Sequence, residues 1–393
     1  MDKAEIGQAV EARQSDMVEM RRDFHRHPEL AFEESRTAGI VAERLRNSGL
    51  EVSTGIAKTG VVGVLRGGKP GKTLMIRADI DALPIIEEAE AVSEYRSRTE
   101  GMMHACGHDG HTAIGLTVAA ILAENRAELP GNIKFLFQPA EEVVSGAKPM
   151  IEQGVMQGVD AVIGLHLANQ VPAGMMGLRA GPAMANVDSI KLTVRGRGGH
   201  GSQPEKAIDS IMAACQVITT LQTIVSREIS PAEAAVLSFG TINGGFASNI
   251  IAPEVNLTGT VRSYLPEVRE KMIRRIEEIA VGVGKALRCE VKFEVAYSCP
   301  AVVNDATMTE MVKRSATKTL GEQNVLELPP IMGSDDMSLF LQAAPGCYFM
   351  VGSAKEDGTS NPHHHPGFDI VETSLPVGAR LMAQAALDYL SES

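Results

Sequence analysis

Residues 103–113, MHACGHDGHTA, place three histidines, a cysteine and an aspartate around two glycines. Cys106 and His108 flank Gly107, so both side chains can turn toward one point. A thiolate and an imidazole suit Zn²⁺ and other late first-row divalent ions. The same residues also suit a polar loop with a half-buried thiol. A structural zinc site is a further alternative, but it calls for four Cys/His ligands and typical C-x₂-C spacing, which this stretch lacks.

Other segments offer matching chemistry. FLFQPAEE leads from an apolar run into adjacent carboxylates, Glu141 and Glu142; AVIGLH ends on His166; NPHHHPGF sets three histidines in a Pro-rich loop; and LMIRADIDALP carries Asp79 and Asp81. The three apolar runs read as strands with these residues at their exits, and in an open α/β sheet ligands bind beyond the carboxyl ends of strands. Adjacent glutamates make sense beside a cation. One can ligate it while its neighbour takes a proton from water whose pKa the ion has lowered toward ~7. The plain alternative is a solvated charge pair at a strand end.

Two look-alike motifs fail in context. GGKPGKT (67–73) lacks the first glycine of a phosphate-binding loop, since Arg66 stands there, and a strand follows instead of a helix; it reads as a hairpin turn. GRGGHG (196–201) matches G-x-G-x-x-G, but about twenty residues on, VITTLQTIV is still helical where an acidic strand end should be. Its glycines instead let a loop approach closely, with His200 exposed at the tip.

These residues need elements to hold them. At 393 residues the chain exceeds what one core usually fills, so two domains are expected. VVGVLRG, KTLMIRAD, NIKFLFQ and DAVIGLHL read as strands alternating with helices such as TAIGLTVAAILAENRAEL, which stops at Pro130-Gly131. That rhythm returns after about residue 300 with CYFMVGS and SLPVGARLMAQAALDYL. Between them the order is strand 189–195, helix 205–228, strands 235–243 and 254–263, helix 266–288 and strand 289–297, a ferredoxin-like βαββαβ unit. The expected architecture is α/β, a mostly parallel mixed sheet flanked by helices over residues 1–186 and 301–393, with a smaller domain inserted at 187–300.

A formal charge of −12 argues against nucleic acid and anionic membranes as partners. The N-terminal segment lacks the apolar core of a signal peptide, and no apolar run is long enough to span a bilayer. Five scattered cysteines are no disulfide framework, so a cytoplasmic location is expected.

With these residues in hand, the whole chain resembles the metal-dependent aminoacylase and carboxypeptidase family of amidohydrolases, in the branch of hippurate hydrolases, indoleacetyl-amino-acid hydrolases and N-acyl-L-amino-acid amidohydrolases. The resemblance is carried by RRDFHRHPELAFEE (21–34), RADIDALP (77–84), MHACGHDGHTA, FQPAEE (137–142), GLH (164–166), GRGGHGS (196–202), GTVR (259–262), MGSDDMS (332–338) and HHPGFD (364–369), in that order. It implies metal ligands at Cys106, His108, Glu142, His166 and His364, the last because the family pattern is His-x-Pro, with His363 and His365 as exposed neighbours. It implies two divalent ions per subunit, of Zn, Mn, Co or Ni; Glu141 as general base; and Asp81 orienting a ligand. The inserted domain resembles the family's lid and dimer contact, implying a homodimer or homotetramer. His200 would then stabilise the oxyanion, from its own chain or a partner's, and Asn249 and Arg262 would hold substrate. His25, His27, His104 and His111 are read as structural.

The chain departs from the family at Asp335 and Met337, usually Glu and an aromatic, and in the proline of NIIAPEV; these bear on pocket shape. The implied activity is hydrolysis of N-acyl amino acids or similar small amides. The alternatives are a dipeptidase or carboxypeptidase on the same site, and a non-catalytic metal- or ligand-binding protein.

Overall fold

The computed structural model describes residues 1–88 and 94–392. The chain divides into two compact units, one of Met1–Gly181, Val303–Pro329 and Asp335–Ser393, the other of Pro182–Val302 and Pro330–Ser334.

In the larger unit, apolar runs form the heart of an eight-stranded sheet, counted among the described residues. Pro130–Gln138, Lys69–Asp79, Ala161–Pro172 and Gly346–Ala354 are parallel neighbours in that order, and antiparallel strands flank them. The apolar positions of these strands are almost all buried, as expected when helices cover both faces. The helix His108–Glu124 is buried along nearly its whole length, so it needs no polar face. The parallel strands open their carboxyl ends to one side: Asp79 pairs with Gln138, and Arg77 with Gly164.

The expected hairpin at GGKPG is not one. Gly60–Arg66 and Lys69–Asp79 are not partners, because Pro130–Gln138 lies between them, antiparallel to the first and parallel to the second. The backbone N–H groups of Gly67, Gly68 and Lys69 donate instead to Gly131, Arg126 and Leu129 (3.0, 2.7 and 3.2 Å). A Cβ at Gly67 or Gly68 would lie 2.2–2.3 Å from a carbonyl oxygen of that segment, so the glycines serve close approach, not reversal. His166 does not end its strand either. Pairing with Lys69–Asp79 stops at Gly164, but the ladder with Gly346–Ala354 continues through His166 to Pro172.

The smaller unit is an antiparallel four-stranded sheet ordered Ala235–Gly244, Glu254–Ser263, Asn186–Arg195, Glu290–Cys299, the ferredoxin-like order. Helices Ser210–Thr223 and Pro266–Ala286 bury Ala213, Val217, Leu221, Met272 and Ile276 in its core. The single helix expected at 205–228 is broken. Ala207 is extended, and Asp209 then caps a new start by accepting from Ile211 and Met212 (2.9 and 3.0 Å), before a π-turn at Ile224–Glu228.

Candidate metal centre

Gly107 adopts φ +94°, a conformation disfavoured for residues with a Cβ, and His108 opens the buried helix directly after it. This turn aims Cys106 and His108 into the crevice beyond the parallel strands. The loop after Pro130–Gln138 brings Glu141 and Glu142, the strand beyond Gly164 brings His166, and the histidine loop brings His364, whose own N–H donates to Ala105 (2.8 Å).

Three overlapping sets of donor atoms result, each with its atoms within 4.8 Å of one another: Cys106, His108 and His166; Cys106, Glu142 and His364; His108, Glu141 and Glu142. Cys106 Sγ is 3.5 Å from His166 Nε2, and His364 Nε2 is 3.2 Å from Glu142 Oε2. His108 Nε2 and Glu142 Oε1 face each other at 3.9 Å, and both are buried without a hydrogen-bond partner among the described residues. A divalent ion with bonds of about 2.0–2.2 Å to nitrogen and oxygen fits between such a pair. The far nitrogens are already committed: His108 Nδ1 donates to Asp81 and His166 Nδ1 to Leu167 O (2.8 Å), which leaves each Nε2 free to ligate. The donor set therefore has the chemistry that would hold late divalent ions.

Charges in this crevice are balanced for a cation. Burial pushes the Cys106 thiol well above its ordinary range, with Glu142, Glu141 and Asp79 adding to the shift. Burial opposes a charge on His108, but Asp79, Asp81 and Glu142 outweigh it and push the ring up to about 10. Burial and the neighbouring rings of His111 and His363 hold His166 neutral. Glu141 is driven well above the usual carboxylate range by burial and by Asp335, Glu142 and Asp336, against the pull of Arg77. Glu142 is lowered despite its burial, because His364 and His108 face it.

The remaining histidines are otherwise engaged. His111 donates to Asp79 (2.6 Å) and accepts from the Leu167 N–H (2.9 Å), so it has no nitrogen left for a metal. His25 sits between Asp109 and Glu87, and His27 bonds the Asp23 carbonyl. His104 is buried with neither ring nitrogen bonded among the described residues, and burial holds it neutral, down to about 3. His365 is exposed, but His363 is not. It packs on the His166 ring and bonds the Leu167 carbonyl (2.9 Å), because the loop turns it inward.

In the smaller unit the structure brings His200 and Asn249 together: Ile250 pairs with His200, and Gly201 N–H donates to Asn249 O (2.8 Å). His200 is exposed, with Nδ1 accepting from Ser202. Arg262 is not with them. It donates to Met332 O (2.7 Å) and pairs with Val187, whereas His200 follows Arg195 at the other end of that strand pair. From Glu254, opposite Arg195, to Arg262 is eight residues of strand, about 26 Å.

Several supporting residues lie in motifs that carry the family resemblance but have no role assigned by it. Arg77, fully buried, bonds Gln138, Asp79, Asp335 and Asp336. Asp335 also accepts from Tyr348 Oη and the Met337 N–H, so these departures from the family pattern lie in a buried ion network beneath Glu141. Arg21 joins Asp109, beside His108, to Asp369 in the histidine loop (2.8 and 2.7 Å). A charged residue inside an apolar strand, as at Arg77, is a further signal that local sequence offers.

The chain as a whole is similar to known proteins. The family described as Peptidase family M20/M25/M40 matches residues 75–388. Thermostable carboxypeptidase 2 of Saccharolobus solfataricus is 42% identical, covering 95% of each chain. N-acetylcysteine deacetylase of Bacillus subtilis is 37% identical over 95% of this chain and 97% of that one. A solved Bacillus subtilis structure, a dinuclear metal-binding peptidase from the M20 family, is 33% identical with a TM-score of 0.86, over 98% and 99% of the two chains.

Proposed function

Since the chain belongs to peptidase family M20/M25/M40, and so is a metal-dependent hydrolase of amide or peptide bonds, we propose that it deacylates N-acyl amino acids at the Cys106 centre. One observation carries the reading: two sets of ligand atoms share Cys106, and Glu141 Oε2 lies 3.9 Å from His108 Nε2. Cys106, His108, Glu142, His166 and His364 would hold two divalent ions, with Zn, Mn, Co and Ni the candidates for this donor set. Bound there, the ions would polarise the scissile carbonyl and lower the pKa of water.

Glu141 takes a proton from the attacking water and passes it to the leaving nitrogen. Asp81 fixes the His108 tautomer and, by accepting the Glu142 N–H (3.0 Å), sets that carboxylate too. His200 donates to the oxyanion and Asn249 stands beside it. Arg262 suits the substrate carboxylate. The strand separation between Arg262 and the His200–Asn249 pair exceeds the length of an N-acyl amino acid, which supports His200 and Asn249 entering from a second copy in a homodimer or homotetramer. Residues 187–300 would then be the lid and dimer domain, and residues 1–186 and 301–393 the catalytic one.

No described helix is long and apolar enough to cross a membrane. The described cysteines are all free, which supports a cytoplasmic location. A carboxypeptidase reading uses the same site and is favoured by the Saccharolobus relative. A panel of N-acyl amino acids and dipeptides, assayed for wild type and Glu141→Gln with metal added back after chelation, separates the readings. Faster turnover of the acyl compounds, lost in E141Q, is expected. A preference for dipeptides would replace the deacylase reading, and an active E141Q would remove Glu141 as base.

A further inference from the structure

The loop that presents Glu141 and Glu142 is clamped by three main-chain N–H groups donating to three buried carboxyls. Ala140 donates to Glu34 Oε1 (2.9 Å), Glu142 to Asp81 Oδ2 (3.0 Å) and Ala147 to Asp336 Oδ2 (3.0 Å). Asp81 and Asp336 sit in the ion clusters already described, but Glu34 does not. It lies 106 residues upstream of Ala140, fully buried at the start of the helix Ser35–Asn47. Its Oε1 also accepts the Phe32 N–H (2.9 Å), and its Oε2 accepts from Thr59 Oγ1 (2.5 Å).

What Glu34 grips is unusual. Ala140 has φ +54°, left-handed backbone that a residue with a Cβ adopts only when its surroundings hold it there. That residue directly precedes Glu141, so its φ and ψ decide where the Glu141 carboxylate points. On the far side, Ala140 O accepts from both Ser145 and Gly146 N–H (3.1 Å each), which closes the loop on itself. The Ala140 N–H is the point at which this closed loop is tied to the N-terminal segment.

We propose that Glu34 is a positioning residue for Glu141: by accepting the Ala140 N–H it holds the left-handed turn that aims the proton-transferring carboxylate. The inference rests on Glu141 being the base. What matters is an acceptor at the reach of a glutamate side chain, not its charge. The substitution Glu34→Gln would keep that acceptor for both N–H groups, and the new amide NH₂ would turn toward the Thr59 hydroxyl and donate to it. The substitution Glu34→Asp would keep the charge but leave the carboxylate one methylene short.

The test compares Glu34→Asp with Glu34→Gln on the metal-loaded full chain, reading kcat, KM, bound metal and thermal midpoint. E34D is expected to lower kcat about ten- to a hundredfold with KM and metal content near wild type, because a misaimed base costs rate, not binding. E34Q is expected to stay within about threefold of wild type. E34D as active as wild type, E34Q falling as far as E34D, or an E34D loss that follows metal loss or raised KM would each overturn the proposal. Should E34D not fold, a soluble E34Q whose kcat is cut more than about tenfold contradicts it. E141Q assayed alongside separates the layers. If E141Q still turns over, the base assignment falls and this inference with it; if E141Q is inactive while E34D is fully active, only the Glu34 inference fails.

Discussion

Asp81 holds the His108 imidazole twice, accepting from Nδ1 at its main-chain oxygen (3.0 Å) and at its carboxylate (3.2 Å). The ring's tautomer is thereby set, and Nε2 is left for a cation. Asp81→Asn keeps the size but weakens the acceptor, so metal affinity measured by competition with a chromogenic chelator should fall about 10–100-fold. An affinity equal to wild type would mean that the main-chain bond alone orients the ring.

Cys106 must lose its proton to ligate, yet burial, aided by Glu142, Glu141 and Asp79, holds the thiol well above its ordinary value. Metal loading should therefore release protons from both Cys106 and His108, whose ring is pushed up to about 10, and apparent affinity should rise with pH by up to about tenfold per unit for each proton released. Calorimetry in buffers of different ionisation enthalpy reads those protons directly. Cys106→Ala should lower the count by about one proton and remove most of the affinity; an unchanged proton count in C106A would exclude Cys106.

His25 is pinned between Asp109 Oδ2 (2.8 Å) and Glu87 Oε1 (3.0 Å), with Arg21, Tyr95 and His104 also nearby. Burial disfavours the charged ring, but the two carboxylates outweigh it and raise the ring above 6.5. A raised native value means the native state binds more protons than the unfolded chain. The stabilisation is then complete below about pH 6.5 and is lost as pH rises through the native value. Thermal midpoints of wild type should fall more steeply than those of His25→Gln as pH rises above about 6.5. Parallel curves would assign the slope to other groups.

If His200 serves a partner's site, inactive His200→Ala and Glu141→Gln proteins should complement when mixed and allowed to exchange. Half of the dimers would be mixed, each with one intact site, giving roughly a quarter of wild-type activity. Subunit exchange without recovered activity would keep His200 in its own chain's site.

Much of this organisation was legible because it is local. Apolar runs ending in ionisable residues marked the strands of the crevice, and the βαββαβ order marked the smaller unit. Partner choice was not legible: the glycines at 67 and 68 suit a reversal as well as a close approach, and only the interposed strand Pro130–Gln138 decides between them. The continuation of the strand past His166 depends on its neighbour Gly346–Ala354, a partner distant in sequence. Glu34 sits in a polar run, AFEESR, and nothing local shows that its carboxyl is spent on Ala140. The separation of Arg262 from His200 was not legible for a similar reason, since motifs report residue types but not which end of a sheet carries them.

The most direct test is diffraction from metal-loaded crystals at the absorption edge of the added ion. Two anomalous peaks per chain are expected, both within bonding reach of Cys106 Sγ, one beside His108 and His166 and the other beside Glu142 and His364. A fully active, loaded crystal with no peak among these five side chains would contradict the account.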